Sequence, residues 1–219
     1  TASAATSFGD KMEKTGRDIS NTGRQMTTGF TVPLVALGGF ALKTAIDFES
    51  AFAGVRKTVD ATEPEFAALE QGIRNMAKEL PASAVEIARG AESAGQLGIA
   101  KDHILEFSRV MIDLGETTNL SSEEAANAMA RIANITKMPQ DQFDELASTL
   151  VALGNAGAST ESEIVAMALR IAGAGNQVGL TQHQIMGVAS ALSSLGIEAE
   201  AGGSSISSVF VKMSKAVAD

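Results

Sequence analysis

A chain of 219 residues with 45% hydrophobic content can bury one large core or two small ones without covalent staples. With no cysteine it can form neither a disulfide framework nor a thiolate metal site, and nine Phe beside no Trp and no Tyr leave it without the aromatics that binding pockets and interface hot spots favour. The formal net charge of −9, with nine acidic residues against Arg131, Lys137 and Arg170 between Asn119 and Val211, argues against the basic stripe that nucleic-acid binding needs.

The first segment, residues 1–30, is polar and carries Gly9, Gly16, Gly23 and Gly29, with Phe8, Met12, Ile19 and Met26 along its length. That spacing predicts an amphipathic helix with a narrow apolar seam. Glycine costs about 1 kcal/mol per helical position, so the segment needs a partner chain or the following helix. Pro33 suits the first turn of a second helix, expected over 34–59 within a linking segment at 31–60. The apolar run from Val32 to Leu42 is about half the ~20 residues of a membrane span. It predicts a buried or partner-facing helix.

From residue 61 to 219 one signal recurs. Thr62 with Glu65, Ser83 with Glu86, Ser121 with Glu124, Thr160 with Glu163 and Thr181 with Gln184 all have capping-box spacing. Leu180 and Ile185 add a hydrophobic staple to the last of these. Apolar periodicity behind each start predicts an all-α fold of about nine helices: 34–59, 63–79, 83–97, 101–114, 121–136, 139–153, 160–173, 181–195 and 203–218. The expected stops are Gly115, Gly154 and Gly196, each after a leucine and each read as a left-handed C-cap. They lie about forty residues apart. Arg131-Ile132-Ala133 returns as Arg170-Ile171-Ala172, and Lys212 is expected at the place of Arg170 one period later. A period near forty is one helical hairpin, so the region 61–219 reads as helical hairpin repeats stacked into a bundle or short solenoid. Alanine-rich faces (Ala125, Ala126, Ala128, Ala130 and Ala133; Ala166, Ala168 and Ala172) predict close helix packing.

Chemistry is sparse. His103 and His183 have no ligand at helical spacing, and both are expected near helix starts, His183 facing solvent. Gly173-Ala-Gly175-Asn-Gln-Val-Gly179 is one residue too long for a dinucleotide fingerprint and follows a helix, so it reads as a hairpin connection. Glu123-Glu124 and Asp144-Glu145 are adjacent on helices and do not face one another; they read as N-terminal charges favoured by the dipole. No catalytic, cofactor-binding or metal-binding residue is assigned, no cofactor is expected, and the chain is read as a non-enzyme.

Longer stretches carry a family resemblance. Ala45-Ile-Asp-Phe48-Glu49-Ser-Ala-Phe52-Ala-Gly-Val55 resembles the signature that opens the core of phage tail tape measure proteins, the phage minor tail protein family. The preceding Thr31-Val-Pro33 is similar to a Thr-x-Pro step of that family. Ala94-Gly95-Gln-Leu-Gly98 resembles an Ala-Gly-x-x-Gly turn, and Thr118 to Ala126 the start of the next repeat. Leu195 to Ile206, with Gly196, Gly202 and Gly203, resembles a closing turn; where the family commonly has Gly-Thr this chain has Gly202-Gly203-Ser204, and Ser204 is expected to cap. The resemblance covers about residues 29–218. It implies a structural protein, one segment of a longer chain, that helps to set tail length and nucleates tail tube polymerisation. The implied partners are the tail tube protein, tail assembly chaperones and copies of itself in an oligomer, with no direct nucleic-acid binding. The implied location is the virion tail of a phage or prophage, assembled in the bacterial cytoplasm. Phe48, Glu49 and Phe52 are read as packing and helix-joining residues. Two rival readings stay open, a helical protein-interaction scaffold and a module for genome delivery that touches membrane or cell wall transiently.

Overall fold

Where five of the described helices begin is decided by a capping box. The computed structural model describes the backbone of residues 32–218 and the side chains of residues 43–216; the amphipathic helix expected over 1–30 lies outside the described residues. Within them are α1 (Val32–Thr58), α2 (Glu63–Glu79), α3 (Ala84–Gln96), α4 (Ile104–Thr117), α5 (Ser122–Thr136), α6 (Phe143–Ala156), α7 (Glu161–Gln177), α8 (Gln182–Ser194) and α9 (Ala199–Ala218). Single 3-10 turns, Lys101–His103 and Gln140–Gln142, lead into α4 and α6. No strand occurs among the described residues.

All five predicted capping boxes form, at Thr62, Ser83, Ser121, Thr160 and Thr181. At Ser83 the hydroxyl accepts from Glu86 N–H at 3.2 Å and the Glu86 carboxylate accepts from Ser83 N–H at 2.7 Å. At Thr62 the Glu65 carboxylate accepts from both the backbone N–H and the hydroxyl, at 2.7 and 2.8 Å. Each reciprocal pair satisfies two orphan groups of a helix start and is worth about 1 kcal/mol.

The helix ends are where the structure departs from the sequence reading. Gly196 has φ +74°, the left-handed turn expected of it. Gly115 and Gly154 do not: they lie inside α4 and α6, which run on to Thr117 and Ala156. Their lack of a side chain serves close approach instead. A Cβ on Gly115 would sit 2.3 Å from Ser122 Oγ, and one on Gly154 2.3 Å from Glu161 Oε1. Further left-handed turns fall at Gly98, Lys137 and Gly179, with φ of +84°, +58° and +84°. Each closes the same motif, in which the next N–H reaches back five residues: Ile99 to Ala94 O, Met138 to Ala133 O and Leu180 to Gly175 O, at 2.9–3.0 Å. Thus α3, α5 and α7 end alike, and α8 ends the same way at Gly196, with Ile197 N–H reaching Leu192 O at 3.3 Å.

Ser50–Asp219 forms one compact unit, whose boundary falls within α1. Within Ser50–Asp219, each of α2 to α7 packs against the helix that follows it, and each also packs against the helix two places on. The even helices α2, α4, α6 and α8 therefore make one layer, and α3, α5, α7 and α9 the other. That is a short stack of helical hairpins, each shielding its neighbour's apolar stripe. Phe107 of α4 meets Phe143 of α6 edge-on, with centroids 4.6 Å apart, and Phe52 of α1 meets Phe66 of α2 at 6.4 Å. Ala125, Ala126, Ala128, Ala130, Ala133, Ala168 and Ala172 are buried as expected, whereas Ala166 is exposed.

Candidate protein-interaction surfaces

The polar side chains between repeats hold the stack rather than gather at a cleft. Gln140, in the turn before α6, clamps the turn after α3: its Oε1 accepts from Ala100 N–H at 2.8 Å and its Nε2 donates to Gly98 O at 3.1 Å. Asn119 does the same for the start of α7, accepting from Ser162 N–H at 3.1 Å and donating to Ser162 Oγ at 2.8 Å. Asn134 donates to Leu97 O and Asn176 to Ile135 O. The partners in these bonds are 37 to 43 residues apart, one hairpin period. Helix-terminal groups that would otherwise face water are thus satisfied across repeats.

His183 is not the free first-turn residue expected. It is half-buried, with Nδ1 3.0 Å from Thr149 Oγ1 of α6, and so ties two even helices. His103 lies at the start of α4, 3.8 Å from the Glu106 carboxylate. Glu123 and Glu124 occupy the first turn of α5, and Asp144 and Glu145 that of α6. Among the described residues, no group of three or more His, Asp or Glu is placed to hold a metal ion.

Ion pairs staple the first hairpins. Lys101 Nζ lies 2.6 Å from Glu65 Oε1 and joins the start of α2 to the turn before α4. This bond, together with the cap bonds from Thr62, pulls the Glu65 carboxyl down to about 2. Arg56 pairs with Glu63 at 2.7 Å and covers the Phe66 ring at 4.7 Å. Arg109 of α4 pairs with Glu79 at the end of α2.

Of the residues expected to carry structural motifs, Phe48 and Phe52 are buried and Glu49 is exposed. Gly95 lies inside α3, where a Cβ would sit 2.6 Å from Thr58 Oγ1. Gly202 and Gly203 are not in a turn. The turn is at Gly196, α9 begins at Ala199, and the two glycines are buried within it, against Ile197 and against Arg170 of α7. Ser204 is likewise no cap: its hydroxyl donates to Glu200 O within the helix.

Among the described residues, shallow grooves mark the surface, including one of about 330 Å³ over α4 between α3 and α5, one of about 400 Å³ between α4 and α6, and one of about 240 Å³ at the turn from α8 to α9. The first contains Ser108, a buried residue whose hydroxyl has no hydrogen-bond partner. Of the seven large apolar side chains exposed among the described residues, five lie elsewhere, at Leu195, Ile197, Val209, Val211 and Met213, and the other two are Ile46 and Ile135. The sequence reading missed both the inter-repeat ties and this apolar patch. Asn134 and Asn176, 42 residues apart, were the available signal for the first, and Ile206, Val209 and Met213 at helical spacing for the second.

The helical repeat stack of the described residues agrees with the comparisons to known proteins. Residues 70–219 match the model of the phage-related minor tail protein family. The tape measure protein of Pneumococcus phage Dp-1 is 23% identical over 115 residues, which are 52% of this chain and 10% of that protein. No solved structure matches the chain. With more than half of its length matched, the chain belongs to the phage-related minor tail protein family and is a structural component of a phage tail.

Proposed function

We infer that this chain is a segment of a tape measure protein, the polypeptide whose length sets the length of the tail. The observation that supports this most is the similarity to the Dp-1 tape measure protein. The hairpin stack is compatible with it, because a one-dimensional repeat array can change length without disturbing distant parts. In this reading the role is mechanical and not enzymatic. The tail tube protein polymerises around the chain, assembly chaperones hold it beforehand, and copies of it lie together in the tail. Assembly takes place in the bacterial cytoplasm, and the chain makes no lasting contact with DNA, in keeping with its net charge of −9.

The test alters the parent gene in frame and measures tails by electron microscopy. If the chain lies as extended helix in the tail, each residue removed shortens the tail by about 1.5 Å. Tails of unchanged length after a deletion of a hundred or so residues, roughly 150 Å of helix, would falsify the ruler reading.

A further inference from the structure

The groove of about 330 Å³ over α4 holds features that the packing of this chain does not use. Its floor is apolar, from Phe107, Met111 and the half-buried Ile112. Ser108 lies among them, 3% exposed, and its hydroxyl has no hydrogen-bond partner. Thr117, Thr136 and Thr149, also in helices, each donate to the carbonyl four residues back. Ser108 does not, and a buried hydroxyl left unpaired is costly. Gly90 lines the α3 wall of the same groove. Glycine is unfavourable inside a helix, and at Gly72, Gly95 and Gly115 a neighbour explains it, since a Cβ there would meet a side chain within 2.3–2.6 Å. A Cβ at Gly90, as at Gly173 and Gly187, would meet nothing within 4 Å, and of these three Gly90 is the one beside an unpaired buried hydroxyl.

The two ends of the groove differ in charge. α3 and α5 each form a hairpin with α4, so Glu86, Glu116 and Glu123 lie toward one end and Ser93 and Ser108 toward the other. Arg89, between them, is the one cation in the lining. Glu86 is held in the capping box of Ser83. Glu116 and Glu123 are exposed, and their carboxylates make no hydrogen bond or ion pair among the described residues. The acidic end is therefore short of positive charge. From Ser108 to Glu116 α4 advances eight residues, about 12 Å. An extended chain covers that length in about four residues.

We propose that this groove binds a short extended segment of a partner protein, apolar over Met111 and Ile112 and carrying lysine or arginine at the end beside Glu116 and Glu123. An extended backbone keeps carbonyl and N–H groups free to pair with the Ser108 hydroxyl, whereas a helix has already paired its own. A wall residue without a side chain lets that backbone approach closely, and Gly90 is such a residue. The cation meets the carboxylates that this chain leaves alone. The proposal rests on the reading that other proteins hold the chain during assembly, and it names the kind of segment they present.

The probes are short blocked peptides of valine and threonine with a lysine pair at one end or the other, set against the same peptides with a glutamate pair. Added to the full chain labelled at its methyl groups, a lysine peptide should shift the Met111 and Ile112 signals with a dissociation constant of about 1 mM or tighter. The glutamate peptides should not. Gly90→Leu fills the groove with a better helix former, so the thermal midpoint should hold or rise while binding falls at least about tenfold. Glu116→Lys with Glu123→Lys should also weaken the lysine peptide about tenfold. Ser108→Ala separates a ligand contact from a structural one. It removes an unpaired buried hydroxyl, so the midpoint should rise by about 2 °C while binding weakens severalfold. No shift with any peptide overturns the proposal. So does equal binding of lysine and glutamate peptides, binding indifferent to Gly90→Leu, or a Ser108→Ala chain that melts lower and binds unchanged. An empty groove in a chain whose parent still sets tail length would remove this site and leave the ruler reading standing.

Discussion

Lys137 occupies the left-handed position that the neighbouring repeats fill with Gly98 and Gly179, at φ 58° and ψ 36°. An L side chain in that basin costs about 1–2 kcal/mol. The Lys137 side chain is exposed and makes no hydrogen bond or ion pair among the described residues, so little offsets that cost. Lys137→Gly should recover about 1 kcal/mol of strain and lose roughly half of it to the freer unfolded chain, for a net gain of about 0.5 kcal/mol. The converse changes, Gly98→Ala and Gly179→Ala, should each cost about 1 kcal/mol. A Cβ at either glycine meets nothing within 4 Å, so the effect is conformational and not steric. For a chain of this size 1 kcal/mol moves the thermal midpoint by about 2–4 °C. Differential scanning calorimetry should therefore show a rise of about 1–2 °C for the first variant and a fall of about 2–4 °C for each of the others. A lower midpoint for Lys137→Gly together with an unchanged one for Gly98→Ala would show that the three turns are not equivalent, and the repeat argument would lose its best geometric support.

Two glycines of similar apparent crowding should behave differently. Gly203→Ala drives a methyl into Arg170 Cβ, which is fixed to the backbone, and should cost about 1–3 kcal/mol by overpacking. Gly154→Ala meets only the Glu161 side chain, from Cγ to the carboxylate, which must swing aside, so the gain of about 1 kcal/mol in helix propensity should offset that repacking and leave it nearly neutral, as melting curves of the pair will show. The pH dependence also has a stated sign. Glu63, Glu65, Glu86, Glu124 and Glu163 all titrate below their ordinary value of 4.5, Glu65 at about 2. Their contribution is present above pH 4.5 and is lost as pH falls toward 2. The midpoint should be flat from pH 7 to about 5.5 and fall below that, and Glu65→Gln should remove the most acid part of the decline; a midpoint still unchanged at pH 2.5 contradicts the cap geometry.

Helix starts were legible because a capping box is local. Ser121 and Glu124 specify each other across three residues whatever the fold around them. Helix ends were less so, because a glycine after a leucine is compatible with either a left-handed turn or a close helix crossing. Gly196 is the first and Gly115 and Gly154 are the second, and the difference lies in Ser122 and Glu161 on the next helix. Lys137 could not be read as a turn residue at all, since its side chain argues against the conformation it adopts. The fold class and the forty-residue period needed no such information. The ties by Gln140 and Asn119 did, because a polar residue at a helix end says nothing of which carbonyl or N–H a neighbouring repeat will present. The apolar stripe on α9 was written in the spacing of Ile206, Val209 and Met213, but its exposure depends on which helix covers it.

If the stack is a true array of hairpins, it should lose one whole hairpin more easily than half of one. Removing Ser121 to Ser159 deletes α5, α6 and the turn between them and joins Leu120 to Thr160, another capping-box residue. α7 then follows α4 in place of α5, with Ile164, Val165 and Ile171 offering the buried face that Ala125, Ala126 and Ile132 offered. The layers stay in alternation, and only nearest-neighbour terms change. The replacement is bulkier at two positions, so stability should fall by a few kcal/mol of overpacking while the helix content per residue stays constant. Removing α5 alone is shorter but worse. It places α6, an even helix, where an odd one belongs, and it strands the apolar faces of α4 and α7 against partners of the wrong direction. Circular dichroism and a urea melt should show a cooperative, fully helical protein for the whole-hairpin deletion and a loss of helix greater than the residues removed for the half-hairpin deletion. Equal tolerance of the two would mean that these helices pack as an unspecific bundle, with no alternation for the deletion to break.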